Sequence, residues 1–206
     1  MRESHAIDLD LWLMDDPSGD GTRGVVDVIG LPWVYLMERR GPRGLSEAVI
    51  EGLRTPRGRR LVVMDAELSH PAAAIPAMLE GLDRGAKSAF GSRYVHGGDT
   101  EAGWGALRWL NSKVVTLLAR PSISMRNPMS GFFALDRALL DNAATLDPVG
   151  YKIGMALVVK SRASKLAEVP IHFANRVAGM SKLTLRQPLL YLEHLRRLHK
   201  FDLFGR

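Results

Sequence analysis

Cysteine is absent from this chain. That excludes disulfides and thiolate metal sites, and it fits a reducing compartment without demanding one. Also missing is any apolar run near ~18 residues, so no segment is predicted to span a bilayer. The opening Met1-Arg2-Glu3-Ser4-His5 lacks the basic-then-apolar pattern of a secretory signal. No internal repeat, low-complexity tract or linker interrupts the sequence. What is present is ordinary for a globular protein: 206 residues, 46% hydrophobic and 24% charged. One α/β domain with a sizeable core is the natural expectation.

The net charge of +6 points toward an anionic partner. Its distribution narrows the choice. Asp8, Asp10, Asp15, Asp16, Asp20, Asp65 and Glu67 fall in the first half, whereas the end is basic and leucine-rich. This favours a membrane surface or a phosphorylated substrate over a general nucleic-acid binder.

Residues 6–14 alternate apolar and polar, as a strand does, and run into the turn signal Asp15-Asp16-Pro17-Ser18-Gly19-Asp20-Gly21-Thr22. A helix over 22–29, a strand over 33–37 and a helix over 45–53 follow. Next come a strand over 61–64, a helix over 73–84 with Pro76 in its first turn, and a short buried strand over 86–91. Residues 94–105 read as a glycine-rich functional loop, and 106–119 as a helix. Strands over 132–135 and 167–173 and helices over 137–143, 151–162 and 185–200 complete the pattern. Alternating strands and helices predict a mostly parallel sheet flanked by helices, with ligands at the carboxyl ends of the strands.

Arg60-Leu61-Val62-Val63-Met64-Asp65-Ala66-Glu67 is the most informative stretch. Period-2 geometry predicts Asp65 and Glu67 on one side of a strand end, where two carboxylates can seat Mg²⁺ or Mn²⁺. Such an ion also binds substrate phosphates, so the expected chemistry is a metal-dependent transferase with a phosphate-activated donor. Asp15 and Asp16 close an earlier strand. Alone they read as a turn and helix cap. Beside Asp65 and Glu67 on one sheet edge they suggest a nucleotide-sugar site. The histidines show no metal-ligand spacing, and His70 reads as a loop residue that orders the turn after the acidic pair. The four tryptophans read as packing, Trp104 being the one worth testing against lipid.

Residues 15–22 resemble the DDGSxDGT element of family 2 glycosyltransferases with the GT-A fold. Asp65-Ala66-Glu67-Leu68-Ser69-His70-Pro71 resembles their DxD element in the form DADLxHP. In order there follow Gly91-Ser92-Arg93-Tyr94-Val95, Gly97-Gly98, Asn127-Pro128-Met129-Ser130-Gly131-Phe132, Gly150-Tyr151-Lys152 and Glu168-Val169-Pro170-Ile171. Asn175-Arg176-Val177-Ala178-Gly179-Met180-Ser181-Lys182-Leu183 closes the series, which is similar to the dolichol-phosphate (polyprenol-phosphate) mannosyltransferases.

The resemblance implies a GT-A-like α/β domain that transfers mannose from GDP-mannose to a polyprenyl or dolichyl phosphate, with inversion, at the cytoplasmic face of a membrane. Asp65 and Glu67 would hold the metal, with Asp65, Asp15 and Asp16 on the donor. Arg93, Arg108, Ser112, Arg176 and Lys182 would meet the acceptor phosphate. Asp65, Glu67, Arg93 and Arg176 would carry catalysis. Some features depart from the family. Its first strand, ending Pro-x-Tyr-Asn-Glu, has no counterpart, which predicts a gap in the sheet and open strand edges. Glu67 stands where Asp is usual, Asn127 and Asn175 replace acids, and Gly154 and Ala156 stand where relatives carry Gln and Glu. A non-catalytic relative that binds lipid phosphate or a partner protein, and a transferase of another sugar, therefore stay open. The chain stops where relatives continue into transmembrane helices, so membrane association is expected to be peripheral or through a membrane-anchor protein. The basic C-terminal helix over 184–200 is expected either to pack on the core or to lie at the lipid interface.

Overall fold

The structure, a computed structural model, describes residues 7–100, 116–143, 146, 152–174 and 186–204, with only the backbone of 186–190. Backbone contacts group the chain into two compact units, Met1–Gly58 and Arg59–Arg206.

In the first unit, β1 (Leu11–Asp15) and β2 (Val34–Glu38) form a parallel pair, with α1 (Thr22–Ile29) and α2 (Leu45–Arg54) as the helices. The turn signal acts through Asp20, whose Oδ1 accepts the Thr22 main-chain N–H at 3.0 Å and its hydroxyl at 2.6 Å. Gly30 ends α1 in the left-handed conformation, φ 58°. Strand β1 is shorter than the alternation predicts, starting at Leu11 rather than residue 6.

In the second unit, β3 (Arg60–Val63), α3 (Ile75–Asp83) and β4 (Ser88–Ser92) lead to the short β5 (Asp99–Thr100). After the helical residues 116–119 come β6 (Phe133–Asp136), α4 (Arg137–Asn142), α5 (Ile153–Lys160), β7 (Leu166–Pro170), β8 (His172–Phe173) and α6 (Arg186–Phe204). The main sheet has the order β3-β6-β4-β7. Its β4–β7 pair is parallel, but β6 runs antiparallel to both β3 and β4. The sheet is therefore mixed where strand-helix alternation predicted mostly parallel. The expected strand over 167–173 is split at Ile171: β7 pairs with β4, while β8 pairs with β5. Among the described residues, β1 has β2 as its one ladder partner and β3 has β6.

Phe90, Phe133, Leu135, Met78 and Leu157 form the buried core of this unit. Helix α5 is buried along seven consecutive residues, Ile153 to Val159, as expected of a helix apolar all round. Its first turn is packed too tightly for the larger side chain that the resemblance implies. A Cβ on Gly154 would lie 2.9 Å from both the Phe133 and Phe90 rings, so no larger side chain fits there. Ala156 is likewise buried. Gly154→Ala is expected to overpack this contact and cost about 1–3 kcal/mol, read as a lowered urea midpoint with an unchanged m-value.

Helix α6 settles one part of its two accounts. Tyr191, His194, Leu195 and Leu198 are buried at helical spacing, so Leu195 and Leu198 serve the core. Leu192, Leu203 and Phe204 stay exposed beside Arg196, Arg197 and Lys200. No helix among the described residues is long and apolar enough to cross a membrane.

Candidate active site

Strand β3 ends at Val63, so Asp65 and Glu67 do not share a strand face, contrary to the period-2 expectation. They sit instead on the following turn, which passes through Leu68 at φ 62°, a left-handed conformation that a branched side chain adopts at a cost. Two contacts shape this turn. The Ser69 hydroxyl donates to Glu67 Oε1 at 3.1 Å, and the Ser69 carbonyl accepts the Ala174 N–H at 3.2 Å.

His70 is the hub. The Asp65 main-chain N–H donates to its Nδ1 at 3.2 Å, and Asp65 Oδ2 lies 3.9 Å from the same nitrogen. Burial lowers the pKa of His70, against the pull of Asp65 and Glu67 toward the charged form; Arg93 adds to the lowering. Both carboxylates and one guanidinium of the expected site therefore act on a single imidazole. Arg93 lies over two rings, its guanidinium carbon 5.0 Å from the Phe173 ring centre and 5.1 Å from that of Tyr94. Burial lowers its pKa, and Tyr94 opposes the shift.

A residue the sequence reading did not place in the site also belongs here. Lys152, next to α5, donates from Nζ to the Met129 carbonyl at 3.0 Å. Burial draws its pKa down to about 8; Arg93 pushes the same way and Asp65 opposes. Two mutually repelling cations thus stand near Asp65. The signal that could have found Lys152 is its place in the matched Gly150-Tyr151-Lys152 segment. The turn it holds carries Gly131, where a Cβ would sit 3.2 Å from Asp65 Oδ2 and 3.7 Å from His70 Cε1. Glycine there keeps one side of the carboxylate clear. Glu168 fixes the same turn from β7, accepting the Arg126 and Asn127 N–H groups at 2.9 and 3.0 Å. Asn127 is buried and donates from Nδ2 to the Gly91 carbonyl at 3.4 Å.

Asp15 and Asp16 belong to the first unit and Asp65 and Glu67 to the second; among the described residues β1 pairs with β2 and β3 with β6. Asp16 has a structural task. One oxygen pairs with Nη1 of the buried Arg39, and the other accepts the Gly44 N–H at 3.0 Å. Arg39 also donates from Nε to Glu51 at 2.8 Å. Arg108, Ser112, Asn175, Arg176 and Lys182, with Trp104, lie outside the described residues.

A divalent cation fits the donor set. Two carboxylates would supply hard oxygen ligands, and the absent Cβ at Gly131 leaves room beside one of them. No group of three or more acidic or imidazole ligands occurs among the described residues, so substrate phosphates and water would complete the coordination.

The Glycosyl transferase family 2 pattern matches residues 2–143. The chain belongs to that family. This family 2 chain is 38% identical over 201 residues to a dolichol-phosphate mannosyltransferase of Pyrococcus furiosus, covering 95% of the chain and 56% of that protein. To a dolichol-phosphate mannosyltransferase of Saccharomyces cerevisiae it is 34% identical, covering 100% of the chain and 79% of the relative. It thus spans little more than half the length of the archaeal relative. Its fold is shared with glucosyl-3-phosphoglycerate synthase from Mycobacterium tuberculosis, solved in complex with Mn²⁺, uridine-diphosphate and glucosyl-3-phosphoglycerate. There the TM-score is 0.65 at 18% identity, over 94% of the chain and 68% of the other. The α/β GT-A-like fold implied by the resemblance is the fold found.

Proposed function

We propose that this chain transfers mannose from GDP-mannose to a polyprenyl or dolichyl phosphate, with inversion, at the cytoplasmic face of a membrane. The observation that carries the reading is the set around His70: Asp65 and Glu67 as a carboxylate ledge, with Arg93 and Lys152 as the cations close to it. Two anionic substrates repel each other, and this arrangement offers each a partner of opposite charge. The named relatives supply the substrate class.

In this reading Asp65 and Glu67 would hold Mg²⁺ or Mn²⁺, which when bound would neutralise charge on the leaving group. The acceptor is a phosphate monoester with a second pKa near ~6, already anionic at neutral pH, so no strong general base is required. Arg93 binds and orients that phosphate, and Arg108, Ser112, Arg176 and Lys182 complete its site. An acceptor oxygen forms the new bond to the anomeric carbon as the bond to the diphosphate breaks and GDP departs. Asp16 serves within the first unit to anchor Arg39. The exposed Leu192, Leu203 and Phe204 beside the α6 basic residues suit peripheral contact with lipid or with a membrane-anchor protein.

The test is Mn²⁺-dependent release of GDP from GDP-mannose in the presence of a short polyprenyl phosphate. Arg93→Ala is expected to raise the acceptor KM by about 10-fold or more, with the Mn²⁺ requirement unchanged. UDP-glucose in place of GDP-mannose tests the other-sugar reading. The small, apolar Gly154 and Ala156, buried at the start of α5, favour a second reading, a lipid-phosphate binder without turnover. Binding of polyprenyl phosphate that ignores Mn²⁺, with no GDP released, would establish it in place of the first.

A further inference from the structure

We propose that His70 is a positioning residue: its caged imidazole fixes the Asp65 carboxylate for cation capture by accepting the Asp65 main-chain N–H. The inference rests on the reading of Asp65 as a metal ligand and adds what holds that ligand in place.

Asp65 lies beyond the β3 ladder, which stops at Val63, so no strand pairing holds its backbone. The contact that replaces a ladder bond is the 3.2 Å hydrogen bond to Nδ1 of His70, five residues on. The ring itself cannot drift. It stacks on Phe132 at 5.2 Å and 21°, and meets Phe173 edge-on at 5.4 Å and 63°. Only 3% of its side chain is exposed. A backbone N–H needs a lone pair at Nδ1, so the proton of this imidazole belongs on Nε2.

The carboxylate is confined as well. On one side lies the imidazole, with Oδ2 at 3.9 Å from Nδ1. Gly131 borders the same oxygen, so close that a Cβ there would come within 3.2 Å. The ligand thus sits in a slot formed by His70 and a glycine. Phe173, the edge-on wall of the cage, also lies under the Arg93 guanidinium at 5.0 Å. One ring therefore sets the spacing between the group that would serve the donor and the group that would serve the acceptor. Ligands of this kind lose affinity when their supporting contacts are removed, typically about 10–100-fold.

Separating the acceptor from the cage is straightforward. His70→Phe keeps the aromatic packing and removes the acceptor. His70→Asn restores an acceptor near the Nδ1 position, whereas His70→Gln carries its oxygen farther out, near the place of Nε2. Mn²⁺ binding in the presence of GDP would be followed by the electron paramagnetic resonance signal of free Mn²⁺, with binding of a short polyprenyl phosphate as control. His70→Phe is expected to weaken Mn²⁺ binding about 10-fold and to change polyprenyl phosphate binding by less than about 2-fold. His70→Asn should recover Mn²⁺ affinity to within about 3-fold of the native protein, and His70→Gln should not. Native Mn²⁺ affinity in His70→Phe overturns the proposal, and so does equal weakness of the Asn and Gln variants. If His70→Phe does not fold, the Asn–Gln pair decides alone. Failure of the native protein to bind Mn²⁺ with GDP would remove the metal reading itself, and this inference with it. Native binding with an unaffected His70→Phe removes the inference alone.

Discussion

Asp65→Asn is expected to reduce GDP release by about 10²–10³-fold at saturating Mn²⁺, with little change in unfolding temperature. The substitution preserves shape and leaves the main-chain N–H to His70 Nδ1 in place. What it removes is one negative charge. That charge is one of two on the turn, both registered by His70, and it is the one that counters the repulsion between Arg93 and Lys152. Without it the ledge loses a ligand, and the cations lose a nearby anion. Lys152, already drawn down to about 8, should fall further. Glu67 is expected to matter less, because its longer side chain is also engaged by the Ser69 hydroxyl. Turnover of Asp65→Asn within about 10-fold of the native rate would show that the leaving diphosphate is neutralised elsewhere.

The second large effect concerns stability and acid. His194 on α6 is buried, and burial pushes its pKa down to about 4, with Lys160, Lys152 and Arg197 adding repulsion; a hydrogen bond with the Lys152 backbone opposes the shift. The unfolded chain takes up this proton near 6.5, the folded chain only near 4. Between those values the unfolded state binds more protons, so stability rises with pH through the window and is lost as pH falls through it. The difference corresponds to roughly 3 kcal/mol, complete below pH 4. His194→Gln cannot take up a proton, so its urea-derived stability should fall less steeply from pH 6.5 to 4, by roughly that amount. Parallel curves for the two proteins would assign the acid sensitivity to other groups. Lys152, adjacent to α5, thus meets the core through its backbone and the candidate site through its amine.

Legibility followed the range of the interactions. Helix α1 was readable to the residue because its start signal is local: the turn cluster 15–22, in which Asp20 accepts the Thr22 N–H just ahead of the helix. Strands β2, β3 and β6 were readable to within a residue or two, from β-branched or aromatic runs bounded by turn residues. The direction of β6 was not readable, because nothing in Phe133–Asp136 itself records which strands lie beside it. Within 94–105, β5 escaped notice since two residues carry no period. The strand end at Val63 escaped for a related reason. Alternation cannot show where a ladder partner stops, so Asp65 and Glu67 were placed on a pleat when a turn carries them.

The order of the motifs, and with it the family and the acidic and basic residues of the candidate site, could be read without coordinates. Those motifs are short segments whose residue types answer to local chemistry. Tertiary structure alone decided that His70, Gly131, Phe173 and Lys152 gather about Asp65, and that Asp16 is spent on Arg39. These contacts join residues far apart along the chain or depend on the cage around a single ring. Such proximities arise from how sheets and turns pack, and one-dimensional patterns of polarity do not encode them.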